Sequence, residues 1–195
     1  MTENNQYKEI EYKYIADNIS LSSFTDLMEK LKQKYQFNKY LQASSFDTYY
    51  VKEDNQDEFQ RFRNDGKTPE LTKKKKTKTS NNWERIESDL PLDPARVTEE
   101  TVTFHVGLDG YKENFKIFKV CFIYFYETVN YVWYIVYDKN MKEVGRFLEV
   151  ELNKDKVSGT STDATILKEH EENLLELGIG SQNRTKLSLF ERFRK

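Results

Sequence analysis

Two short strings set carboxylates two residues apart. Glu9 and Glu11, followed by Lys13, stand in "EIEYK", and Glu149 and Glu151 stand in "FLEVEL". Bases with similar spacing lie between them. They are Arg61 and Arg63 in "QRFR", Lys74 and Lys76 in "LTKKKK", Arg85 two residues before Glu87 in "ERIE", and Lys119 in "FKVCF". A period of two is the period of a β-strand, so each string carries charge on one face and packing groups such as Ile10, Tyr12, Phe62, Ile86 or Val150 on the other. One such strand alone reads as a sheet with a wet face. The set reads differently, because acids pair on the first and last strands and bases fill the middle ones, with arginines suited to bidentate oxyanion recognition. If the sheet closes, the acids of both ends meet beside a ring of bases. Four facing carboxylates call for a divalent cation, and hard oxygen ligands favour Mg²⁺ or Mn²⁺ over zinc. The bases call for a compact polyanion. A chain of linked phosphates meets both demands. No Gly-rich phosphate loop is present, so side chains must do the binding.

The elements that must position these groups are mostly strands. Alternation marks eight: Tyr7–Ile15, Phe46–Val51, Phe59–Arg63, Glu70–Lys78, Trp83–Asp89, Phe115–Glu127, Tyr131–Asp138 and Arg146–Asn153. Helical spacing of Phe24, Leu27, Met28, Leu31 and Tyr35 predicts one helix, capped by Ser22 or Ser23. Ile166, Leu167, Leu174 and Leu177 predict a second, stopped by Gly178. The connection around residues 90–114 has room for a short helix, and "KLSLFERFRK" for a last turn or two.

The totals bound the rest. The chain has 195 residues, with 33% charged and 37% hydrophobic, so charge either crowds the surface or is stored inside. Lys+Arg 31 against Asp+Glu 33 leave a net charge of -2, which gives no global case for a nucleic-acid or membrane partner. A single cysteine, Cys121, rules out an internal disulfide and fits a reducing compartment. The polar N-terminus does not read as a signal peptide, and the apolar stretch 115–138 is too rich in β-branched and aromatic residues for a spanning helix. The expectation is a soluble, cytoplasmic protein.

In this order the motifs resemble those of the CYTH domains, or triphosphate tunnel metalloenzymes. "EIEYK" is similar to that family's E-x-E-x-K, "FDTYYV" to its second strand, "QRFR" to R-x-R, and "ELTKKK" to L-T-x-K. "RIE" is similar to R-x-E, "GRFLEVELN" to G-x-F-x-E-x-E, and "LLELGI…TKLSLFERF" to its closing helices. The resemblance spans roughly residues 7–193. It implies an α+β fold, with a closed antiparallel eight-stranded β-barrel and helices packed outside, over residues 1–195 as a single domain. It implies that Glu9, Glu11, Glu149 and Glu151 hold the metal and with Lys13 form the catalytic set, with Glu87 orienting a base or serving a second metal site. It implies a phosphate grip of Lys13, Arg61, Arg63, Lys74, Lys76, Arg85 and Lys119, with Arg184 or Lys186 as the basic group of the closing segment. Cys121 stands where the resemblance implies an arginine. The implied activity is metal-dependent hydrolysis of a linear triphosphate, inorganic or organic. The alternatives are a class IV adenylate cyclase, making cyclic AMP and pyrophosphate from ATP, and a non-catalytic polyphosphate- or nucleotide-binding module. An RNA 5′-triphosphate end is a candidate partner, a homodimer a candidate assembly, and a membrane is neither.

Several residues have plainer readings. His170 lies among Glu169, Glu171 and Glu172 and is expected at the surface. His105 stands apart from the motifs, and Ser188 lacks the partners of a nucleophile. Lys73 and Lys75 read as a solvated face. Phe118, Phe122, Tyr124, Tyr126, Trp133 and Tyr134 read as outer packing.

Overall fold

The computed structural model describes residues 5–55, 57–76, 84–158 and 160–194, and within these not the side chains of 5, 6, 76, 84 and 85. Eight strands form one closed antiparallel barrel. They are β1 (Asn5–Ile15), β2 (Phe37–Val51), β3 (Glu58–Asn64), β4 (Glu70–Lys76), β5 (Glu84–Pro91), β6 (Lys112–Tyr126), β7 (Val129–Tyr137) and β8 (Glu143–Leu152), in the order β1-β5-β4-β3-β2-β6-β7-β8. The seam is β1 against β8, where Glu11 faces Glu151 and Lys13 faces Glu149. The first and last acidic strings are therefore neighbours in space. Trp83 and Lys78, the expected outer limits of two strands, lie outside the described residues.

The strand alternation has opposite uses on its two faces. Outside, Ile10, Tyr12, Tyr14, Trp133, Leu148 and Val150 pack under the helices α1 (Leu21–Leu31) and α3 (Ser161–Glu172). α1 begins where Ser20, rather than Ser22 or Ser23, accepts from Ser23 N, and it buries Phe24, Leu27, Met28 and Leu31. The connection between β5 and β6 does hold a helix, α2 (Glu99–Leu108). It opens on a Thr98/Thr101 capping box and covers Tyr50 and Phe62 with Val102 and Val106. After α3 a 3₁₀ turn ends at Gly178, whose φ of 72° supplies the left-handed stop.

Three sequence expectations change. β2 starts at Phe37 rather than Phe46, and its first half pairs with β6 alone. His170 is not at the surface: it is 2% exposed, bonded through Nδ1 to Tyr131 Oη (2.9 Å) and near Thr128 Oγ1 (3.3 Å). Its neighbours Glu169 and Glu172 are exposed, while the ring points under α3 at the tyrosines. Tyr134 is not outer packing either. Its position in β7 places it on the barrel's inner face, unlike Trp133 one residue earlier.

The inside has two ends. At the end formed by the start of β3, β6 and β8, a third core fills the barrel with Tyr49, Phe59, Phe115 and Phe147. The short helix α4 (Leu189–Phe193), capped by Ser188, inserts Phe190 there. Phe190 lies over Phe59 with ring centroids 4.5 Å apart and planes 21° apart. The other end is the mouth, where Tyr7, Glu70, Asp89 and Lys154 line the opening.

Candidate active site

Between plug and mouth lies a cavity of about 280 Å³ lined by charge. β1 contributes Glu9, Glu11 and Lys13; β3, Arg61 and Arg63; β4, Lys74; β5, Glu87; β6, Lys119 and Cys121; β8, Glu149 and Glu151. These groups share a lumen because the alternation of each strand is unbroken where it carries them. Lys76 and Arg85 face each other across β4 and β5, but their side chains lie outside the described residues.

The acids form one wall. Lys13 Nζ bridges Glu11 (3.0 Å) and Glu149 (2.8 Å), and Glu149 also accepts from Tyr134 Oη (2.7 Å). Burial raises Glu149, but Lys13, with Lys119 and Tyr134 behind it, more than offsets it, and the carboxyl ends below its usual range. Lys74 sits between Glu87 and Glu9, the latter at 3.4 Å, while Tyr7 donates to Glu87 (2.9 Å). Glu87 is pushed up to about 7 by burial, against the pull of Lys74 and with the repulsion of Glu9. Glu151 is pushed furthest, well above the carboxylate range, by burial and then by Glu9, Glu11, Glu149 and Glu87. Two buried lysines, Lys13 and Lys74, thus stand against five carboxyls on this wall.

The bases form the opposite wall, organised by an acid that the sequence did not single out. Asp47, fully buried on β2, accepts from Arg63 Nε and Nη2, both at 2.9 Å, from Ser45 Oγ at 3.1 Å, and pairs with Lys119 at 3.2 Å. Burial would raise this carboxyl, but Arg63 and Lys119 hold it well below the usual range. The bidentate pair uses two of Arg63's five donors and fixes the plane of the rest. Arg61 donates to Thr72 Oγ1 at 3.1 Å, and its Nε is buried with no hydrogen-bond partner among the described residues.

Arg184 and Lys186 are not brought into the cavity. Arg184 is clamped outside the barrel by Glu171 and stacks over Tyr12, 3.5 Å from the ring centroid, while Lys186 is exposed. The closing segment instead delivers Ser188, Leu189 and Phe190. Lys73 and Lys75 are exposed on the outer face, Lys73 paired with Glu58 at 2.9 Å. Besides Asp47, sequence reasoning missed Tyr7, Asp89 and Lys154. Lys154 stacks over Tyr7 at 3.5 Å and pairs with Asp89 at 3.0 Å. The parity of Asp47 with Tyr49 carried a signal, but nothing in "FDTYYV" says which face is inside.

Glu9, Glu11, Glu87, Glu149 and Glu151 offer only hard oxygen donors, and the repulsion on Glu151 is what a cation would relieve, so the donor chemistry fits Mg²⁺ or Mn²⁺. The cage is not preformed. Among the described residues, no three His, Cys, Asp or Glu side chains already stand close enough to hold a metal ion. Lys13 and Lys74 stand between the carboxylates. No helix among the described residues is long and apolar enough to cross a membrane.

No family model and no curated protein matches the sequence. Solved structures do match its fold. The PH1012 protein of Pyrococcus horikoshii OT3 superposes with TM-score 0.71 at 19% identity, over 96% of this chain and 99% of that one. A Vibrio parahaemolyticus protein provisionally named an adenylate cyclase gives 0.68 at 12% identity, over 95% and 97%. A chain of the Schizosaccharomyces pombe Mediator head module gives 0.54 at 12%, over 88% and 94%. Identities this low speak for architecture and leave chemistry to the side chains. The barrel is closed, all its strands are antiparallel and its helices lie outside, which is the architecture that the resemblance to the CYTH domains implied.

Proposed function

We propose that the chain is an enzyme that binds a linear triphosphate in this cavity and hydrolyses a phosphoanhydride bond with Mg²⁺ or Mn²⁺. The observation that carries the reading is the division of one buried lumen into a carboxylate wall and a basic wall. A plain anion binder has no use for Glu9, Glu11, Glu149 and Glu151 together. Bound there, the cation would neutralise phosphate charge and activate a water.

In this reading, Arg61, Arg63 and Lys119 bind phosphate oxygens, Arg63 and Lys119 being held in place by Asp47. The Nε of Arg61, without a partner among the described residues, is ready for an acceptor. Lys13 and Lys74, now tied to carboxylates, turn to the phosphates as the cation takes over those carboxylates. Binding is then an exchange of ion pairs rather than the creation of new buried charge, which limits its desolvation cost. Lys76 and Arg85 join the grip from their positions on β4 and β5. The aromatic plug excludes water from the deep end. Arg184, committed to Glu171, and the exposed Lys186 have no part in it.

A second reading, cyclisation of ATP, is kept in view by the fold neighbour named as a cyclase. Incubation with Mg²⁺ or Mn²⁺ and either tripolyphosphate or ATP separates the two. Orthophosphate release supports hydrolysis, and cyclic AMP with pyrophosphate supports cyclisation. Binding without product across both metals would sink both enzymatic readings.

A further inference from the structure

β7 brings no carboxylate and no base to the cavity. From Val132 to Val136 its inner face reads Val132, Tyr134, Val136, so the Tyr134 hydroxyl is the one polar group that this stretch turns inward. Val132 pairs with Glu149 on β8 and Tyr134 with Phe147, which sets Tyr134 diagonal to Glu149. The Tyr134 ring is 1% exposed and stacks on Phe147, with centroids 5.4 Å and planes 25° apart. Lys119 of the basic wall lies over the same ring, 5.3 Å from its centroid. A ring packed in this way leaves its hydroxyl little freedom, so the strand register decides what the hydroxyl meets.

It meets Glu149 Oε1 at 2.7 Å, the same oxygen that Lys13 holds at 2.8 Å. The two donors differ in what they do when a cation arrives. Lys13 is positively charged, so it repels a metal ion at Glu149 and has to give way. The phenol is neutral and can keep its bond while the carboxylate ligates. Of the two contacts on this oxygen, the one from Tyr134 is the one that a metal site can retain.

We propose that Tyr134 is a positioning residue for the cation site, its hydroxyl holding the Glu149 carboxylate in place as Lys13 leaves it. The assignment rests on the metal reading above and adds to it a residue from a strand that supplies no ligand.

Calorimetric titration of the full chain with Mn²⁺, without triphosphate, tests it. Tyr134→Phe keeps the ring and its stack, removes the bond to Glu149, and should bind Mn²⁺ roughly tenfold more weakly. In a Glu149→Gln background the same change should alter Mn²⁺ affinity by less than about twofold, because the hydroxyl acts through that carboxylate. Tyr131→Phe is the control for a lost buried hydroxyl. Tyr131 is fully buried on the outer face of β7 and bonded to His170 Nδ1 at 2.9 Å, so this change should lower the melting temperature and leave Mn²⁺ affinity as it was. Mn²⁺ bound by Tyr134→Phe as tightly as by the unaltered chain overturns the assignment and leaves the metal reading standing. So does a further loss of roughly tenfold when Tyr134→Phe is added to Glu149→Gln. A Tyr134→Phe chain without a cooperative melting transition also overturns it, since the hydroxyl is then structural. Absence of Mn²⁺ binding by the unaltered chain overturns the metal reading and the assignment with it.

Discussion

Replacing Arg61 by methionine keeps most of the side chain's bulk and removes its charge. In the unliganded barrel Arg61 is 8% exposed, donates to Thr72, and leaves Nε without a partner among the described residues. Burial and then Arg63 disfavour its charge, but the groups around it, Asp47 and Glu87 first, outweigh them and hold the guanidinium above its usual range. Removing such a group should therefore lower stability somewhat in the absence of ligand. A phosphate that accepts from Arg61 makes a charge-assisted bond worth about 1.5–3 kcal/mol, so triphosphate affinity should fall roughly ten- to a hundredfold. Lys73→Met is the control. Lys73 is half exposed, faces outward and is held by Glu58, so only screened long-range attraction is lost, about twofold or less at moderate salt. Calorimetric titration gives the affinities, and thermal melting without ligand gives the stabilities. If Lys73→Met weakens binding as much as Arg61→Met at both low and moderate salt, the cavity is not where the triphosphate sits.

Three further outcomes follow from the same geometry. Glu151→Gln removes the carboxyl most repelled by its neighbours, so without cation the melting temperature should rise, and stabilisation by added Mn²⁺ should shrink; an unchanged Mn²⁺ response in a melting assay counts against the metal wall. Burial holds His170 down to about 4 against an ordinary 6.5, so between those values the unfolded chain takes a proton that the folded one refuses, and stability is lost as pH falls. That contribution reaches up to about 3 kcal/mol and should be missing from the pH–melting profile of His170→Gln; parallel profiles would contradict it. Phe190→Ala takes the central ring from the plug and should cost about 3 kcal/mol in denaturant unfolding, while an effect under about 1 kcal/mol would mean that α4 does not seal the barrel.

The sequence made some of this legible and hid the rest for identifiable reasons. Glu9–Lys13 and Glu149–Glu151 are read correctly as single-faced strings because their alternation is clean and apolar residues mark the other face. The first half of β2, "FNKYLQASS", mixes polar and apolar residues on both faces, since it projects at the mouth and is half wet, and so it does not announce a strand. Asp47 looks like one acid in an ordinary strand until the register sets it against Arg63. Tyr134 and Trp133 are adjacent aromatics that face opposite ways, and only the pairing with β6 and β8 decides which is inside. His170 and Arg184 owe their places to partners on other elements, Tyr131 on β7 and Glu171 on α3, and local pattern carries no record of them.

The seam between β1 and β8 has a consequence for how the molecule is made. Its two strands come from opposite ends of the sequence, so their pairing is the longest loop closure in the barrel and belongs late in folding. It also brings Glu11 against Glu151, which resists the closure electrostatically. Lys13 is the one base that the seam itself supplies, and it lies between Glu11 and Glu149. Refolding should therefore speed up with divalent cations or at mildly acidic pH, where the last strand can dock without four charges meeting. A Lys13→Met chain should refold slowly in their absence even if its native state, once reached with cation, melts normally. The groups proposed for chemistry are then also the kinetic gate of assembly, so a single counter-ion could set both how fast the barrel shuts and what it can do once shut.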